Sequence, residues 1–193
     1  ALASRGAPAG VGWHLTRQAD GALRFDARSD QGEVSLVSST QLAAGEWWHV
    51  AAQVSAGVAR LYVQGTLQAG APLAGAFATT GDLTLGAPPF AGVLDDVRLS
   101  SGDRYAMDFT PTPGLTSDAQ TLLLYPLEHV AREGAPDAGP LGLHGDPTAL
   151  SDAAGACFVA GVPDLPPSAP LVAVTPPNPS PTDDLTCSVT GAS

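Results

Sequence analysis

The chain has 193 residues, 44% of them hydrophobic and 14% charged, which suits one ordinary domain plus a fragment, or two small domains, and excludes disorder throughout. Its net charge of −11 argues against nucleic acid and anionic membrane as partners, because both are gripped by clustered Arg and Lys. No apolar run reaches membrane-spanning length, and no basic start followed by an apolar block marks a signal peptide.

With 22 Gly and 18 Pro, turns are frequent and long helices are not expected. Residues 11–17, "VGWHLTR", alternate, with Val11, Trp13 and Leu15 on one face. After the turn at Asp20-Gly21, "GALRFDAR" sends Leu23, Phe25 and Ala27 one way and Arg24, Asp26 and Arg28 the other. "EVSLVSS" adds Val34 and Leu36. Two strands, about 47–54 and 59–64, are joined by a Ser-Ala-Gly turn. "DLTLG" at 82–86 and "GVLDDVRLS" at 92–100 follow. Period-two alternation with turns about every ten residues predicts an all-β fold, an antiparallel sandwich or barrel.

Residues 101–120 read as a polar loop and 121–127, "TLLLYPL", as one more strand. A Gly/Pro/Asp-rich stretch runs from about 133 to 156, and 161–170 reads as a proline-rich linker. Beyond it, "LVAVTP" and "DLTCSVTG" read as two strands, too few for a stable domain of their own. The expected division is therefore a domain at 1–160, a linker at 161–170 and the first strands of another unit at 171–193. Cys157 and Cys187 either pair with each other or leave Cys187 to a partner outside these residues; both options suit an oxidising, extracellular setting. No CxxC or Cys/His cluster suggests zinc.

"EWWHV" concentrates two of the three tryptophans beside a histidine. On a strand, Trp47 and His49 share one face and Trp48 takes the other. Trp47 is expected in the core, where large aromatics dominate burial, and His49 as a hydrogen-bonded structural histidine. A strand apolar on both faces is covered on both sides or exposes one aromatic; Trp48 is the candidate exposed ring and ligand contact, able to stack on a sugar ring. In "GVLDDVRLS", Asp95 falls on the face of Val93, Val97 and Leu99, and Asp96 on the opposite one. A buried carboxylate there needs backbone N–H donors or a cation. As a catalytic pair the two face apart and cannot flank one glycosidic bond. No G-x-S-x-G, phosphate-binding glycine loop or Ser/His/Asp set can be assembled, so an enzyme is not expected.

Residues 45–99 resemble the laminin-G-like, concanavalin A-like jelly-roll family. The match runs through Gly45, Trp47, His49, Val50 and Ala51; Leu61, Tyr62, Val63 and Gly65; Leu83, Leu85 and Gly86; and Gly92, Leu94, Asp95, Asp96, Val97, Arg98 and Leu99. The resemblance implies a jelly-roll sandwich, with Trp47, His49, Tyr62 and Asp96 as structural residues. It allows calcium as the one cofactor, held by Asp95 with Asp137 and Asp146 from the late Gly-rich loop. "VAVTPPNPSPTDDLTCSVTG" resembles the start of bacterial Ig-like surface modules. These resemblances imply a non-catalytic extracellular or cell-surface module that binds glycans or matrix-type proteins. The alternatives are a structural subunit of a surface assembly, self-associating through edge strands or terminal segments, and an accessory domain of a polysaccharide hydrolase.

Overall fold

The computed structural model describes residues 1–6, 10–77, 81–87, 89–127 and 135–145, and the backbone of Leu171–Thr175 and Thr186–Thr190. Among these residues every regular element is a β-strand, and every paired strand is antiparallel. The chain divides into two units: Ala1–Leu94 with Gly102–Pro111, and Asp95–Ser101 with Thr112–Ser193.

The first unit is an antiparallel sandwich of two sheets. One sheet holds β1 (Ala3–Arg5), β2 (Gly12–Arg17), β3 (Ala22–Arg28), β4 (Glu33–Gln41) and β8 (Leu83–Leu85), in the order β4-β3-β2-β1-β8. The other holds β5 (Val50–Ser55), β6 (Val58–Val63) and β7 (Thr66–Pro72), in that order. Alternation builds the core between them. Leu15, Phe25 and Leu36 lie opposite one another across β2, β3 and β4, and all three are buried. From the other sheet, β6 contributes Ala59, Leu61 and Val63 to the same cluster. Leu23 and Leu61 are fully buried, each stabilising the fold by about 2 kcal/mol on apolar area alone.

Two sequence signals fix the register. Ala56 and Gly57 both take positive φ between Ser55 and Val58, so β5 and β6 join in the tight two-residue hairpin whose twist suits paired strands. In β3, the pairing with β4 shifts between Ala22 and Arg24. The N–H of Leu23 at that bulge donates instead to Oγ of buried Ser38 at 2.9 Å, so the irregularity leaves no orphaned donor.

Burial is uneven across the five-stranded sheet. On its core side, one row runs Leu85–Ala3–Leu15–Phe25–Leu36 and the next Leu83–Arg5–Trp13–Ala27–Val34. Phe25 and Ala27 on β3 are 3% and 2% exposed, whereas Ala3, Leu83 and Leu85 on β1 and β8 are only half-buried. β4 packs against both β6 and β7, so within the first unit the three-stranded sheet covers the β4 side of the five-stranded sheet.

The second unit contains β9 (Val97–Ser100) paired with β10 (Thr121–Tyr125), and β11 (Leu171–Thr175) paired with β12 (Thr186–Thr190). β11 and β12 fall where the sequence predicts two strands. Cys187 lies opposite Val174 in that hairpin, while Cys157 lies outside the described residues.

Candidate functional site

The structure reassigns the aromatic trio. β5 begins at Val50, so Trp47, Trp48 and His49 precede the strand rather than alternating along it. Trp48, expected to be exposed, is half-buried and packs on the core cluster, and its indole N–H donates to the Ala43 carbonyl at 3.3 Å. Trp47, expected in the core, is half-buried and stands outside that cluster. The reason is the missing alternation: without strand geometry, neighbours need not point to opposite faces.

His49 and Tyr62 sit on the outer face of the three-stranded sheet, under the segment Gly102–Pro111. Tyr62 is fully buried and its hydroxyl donates to the Tyr105 carbonyl at 2.9 Å. Tyr105 and Phe109 stack with ring centroids 3.6 Å apart and 6° between planes. Phe109 meets His49 and Tyr62 edge-on at 5.5 and 5.6 Å. The Gln53 amide clamps the same segment, donating to Asp103 Oδ1 and the Tyr105 carbonyl and accepting from the Tyr105 N–H. At the far end Leu67 N–H donates to Asp108 Oδ1, and Phe109 N–H to the Gly65 carbonyl. Burial raises the Tyr62 pKa; Arg60 opposes this, and Asp103 and Asp108 reinforce it. The result is a strap, an anchored connection built on aromatic packing.

The described acidic candidates, Asp95 and Asp137, lie in separate segments and each accepts from backbone N–H. β9 starts at Val97, so Asp95 and Asp96 lie before the strand; Asp95 is exposed rather than on the apolar side, and Asp96 adopts φ 47°. Asp95 Oδ1 accepts the Asp96 N–H at 3.1 Å. Asp137 has both oxygens engaged by backbone donors: Oδ1 accepts from Leu124 and Gly139, and Oδ2 from Leu143. These three N–H donors satisfy the Asp137 carboxylate from within the protein. Among the described residues no group of three or more His, Cys, Asp or Glu gathers to hold a metal. Asp146 lies outside the described residues.

Asp137 therefore organises the 135–145 loop. Ala135 and Gly145 close it as a β-bridge, Ala138 N–H donates to the Leu124 carbonyl, and the Tyr125 hydroxyl donates to the Leu143 carbonyl at 2.6 Å. Burial pushes the Asp137 pKa up, but the three N–H donors, with His144 beside them, outweigh it and hold the carboxyl below its ordinary value.

The outer face of the five-stranded sheet carries a polar row that the sequence reading did not assemble. Strand register sets Thr84, Ser4, His14, Asp26 and Ser35 side by side across β8, β1, β2, β3 and β4. Neighbouring strands lie about 4.8 Å apart, so the row is a ladder of hydrogen-bonding groups at even spacing. Arg24 Nε reaches both carboxylate oxygens of Asp26 at 2.9 Å, and Arg28 pairs with Glu33 beyond it. Serine, histidine and aspartate thus stand on adjacent strands, but no side-chain hydrogen bond joins Ser4 to His14 or His14 to Asp26. The row offers donors and acceptors without an assembled nucleophile–base pair. The signal was present in the sequence as the outward positions of alternating strands; what it lacked was the strand order.

A family model described as the Concanavalin A-like lectin/glucanases superfamily, of the laminin G type, matches residues 1–106, more than half of the chain. No curated protein and no solved structure matches it.

Proposed function

Because the chain belongs to the Concanavalin A-like lectin/glucanases superfamily, we propose that it is a non-catalytic binding module whose ligand is a glycan, held on the outer face of the five-stranded sheet. The observation that carries this reading is the polar row Thr84–Ser4–His14–Asp26–Ser35. Sugar hydroxyls both donate and accept, and the row presents both kinds of group: hydroxyls on Ser4, Ser35 and Thr84, an imidazole on His14 and a carboxylate on Asp26. Arg24 holds Asp26 in one orientation, which lowers the entropy lost on binding.

A glycan array read with the intact chain and with His14→Ala tests this. Retention of one glycan class by the intact chain, weakened tenfold or more by His14→Ala, supports it. Equal retention by both proteins moves the site off this face. Release of reducing ends from a bound polysaccharide turns the reading toward the glucanase side of the superfamily. The setting we infer is extracellular or cell-surface, with β11 and β12 as the opening strands of an Ig-like unit. A structural role in a surface assembly is the second reading, and the outer edge of β5, unpaired among the described residues, favours it.

A further inference from the structure

The first unit has four sheet edges, and three are blunted. The end of β4 is capped by the Gln68 side chain, whose Oε1 accepts from Thr40 N–H at 3.0 Å and Ser39 Oγ at 2.9 Å. β7 contains Gly70 and ends on Pro72, and its pairing with β6 is irregular between Leu61 and Tyr62. β8 is three residues long. Exposed edges are ordinarily protected by such devices, because their unpaired N–H and C=O groups recruit other strands.

β5 has none of these devices. Val50–Ser55 pairs with β6 in unbroken register and contains no proline, glycine or charge. Among the described residues no backbone hydrogen bond reaches its other side. The hairpin fixes which groups are left over. Ser55 and Val58 flank the two-residue turn, and His49 accepts from Gln64 N–H, so residues 49, 51, 53 and 55 bond toward β6. The N–H and C=O groups of Val50, Ala52 and Val54 point outward, and the side chains of the same three pack on the core cluster.

The core beside this edge is incompletely buried. Within the first unit β6 and β7 lie against β4, while Trp13, Ala3, Leu83 and Leu85 on β2, β1 and β8 are half-buried. A strand added there has to be apolar at alternate positions on its core side. A second copy is a poor occupant, because each chain carries −11 and the two repel. We propose that β5 is an acceptor edge for an extended segment of a separate polypeptide, neutral or basic and apolar at alternate positions. It pairs with Val50, Ala52 and Val54 and extends the three-stranded sheet to four.

The probe is the acetylated, amidated peptide Lys-Thr-Val-Thr-Val-Thr-Val-Thr-Lys, added to the full chain while amide exchange is read residue by residue. The expected result is exchange at Val50, Ala52 and Val54 slowed by about tenfold or more, saturably. The same peptide with all three valine and all four threonine nitrogens methylated, which leaves neither edge able to donate, has no effect. Unchanged exchange at these three amides overturns the proposal, as does equal protection by the N-methylated control. Protection already present in dilute protein alone also overturns it. Protection that grows with protein concentration and no peptide makes the occupant a second copy and overturns it too.

Discussion

Two irregular segments of this protein are held by different chemistry. The strap Gly102–Pro111 depends on a neutral amide, a tyrosine hydroxyl and stacked rings. The 135–145 loop depends on one carboxylate that gathers three backbone N–H groups. An aromatic anchor spreads its stabilisation over area and several partners, so single losses are partial. A carboxylate hub concentrates it in one group, so a single proton or a single substitution removes most of it.

Substitution at the strap's closest approach has the largest expected effect. Gly65 takes φ 75°, and a Cβ there would collide with the Phe109 carbonyl. Gly65→Ala should cost about 3 kcal/mol, from positive φ plus displacement of the strap. Urea unfolding measures it, and a loss under about 1 kcal/mol would show that the strap yields cheaply. Asp137→Ala orphans three N–H groups and should cost about 2 kcal/mol, read the same way, with faster amide exchange at Gly139 and Leu143. Gln53→Ala removes the amide clamp but leaves the ring stack, so about 1 kcal/mol is expected, with the Tyr62 environment little changed in near-UV dichroism.

Titration gives the smallest effects and sharpens the contrast best. Asp137 is held below its unfolded value of about 3.8, so the folded state binds fewer protons there. Its contribution is complete above the unfolded pKa and is lost as pH falls through the folded one. Tyr62 is raised above 10.0, so its contribution is complete below that pH and is lost as pH rises through the folded pKa. Tyr125 is also raised, by burial and then by Asp137, so the loop has an alkaline limit as well as its acid one. Exchange at Leu143 should rise first in acid. An Asp137→Asn protein that kept the acid-dependent opening would place its origin elsewhere.

Most of the fold was legible in the sequence because alternation is local. "GALRFDAR" and "VGWHLTR" carry their faces in their own residues, and β2 and β3 fall within them. β1 and β7 were not read as strands. "ASR" is too short to show a period, and "TLQAGAP" is built from residues that favour strands weakly, so pairing with neighbours decides them. The candidate site was less legible. The faces expected for Trp48 and Asp95 come from extending strands through residues that are not in them. The row through Ser4, His14 and Asp26 exists only once β1, β2 and β3 are neighbours, and β8 joins them from far along the chain.

That last connection bears on the order of folding. β2, β3 and β4 pair with their chain neighbours, as do β5, β6 and β7, so each group closes through short loops. β8 reaches its sheet only through β1, with Ala3 opposite Leu85 across nearly the whole of the first unit. Closing that distance costs chain entropy before any contact rewards it. The two local meanders should form first, and the β1–β8 seam should be the last step of the search. Substitutions at Leu83 or Leu85 are then expected to speed unfolding while leaving the folding rate nearly unchanged, as stopped-flow chevrons would show.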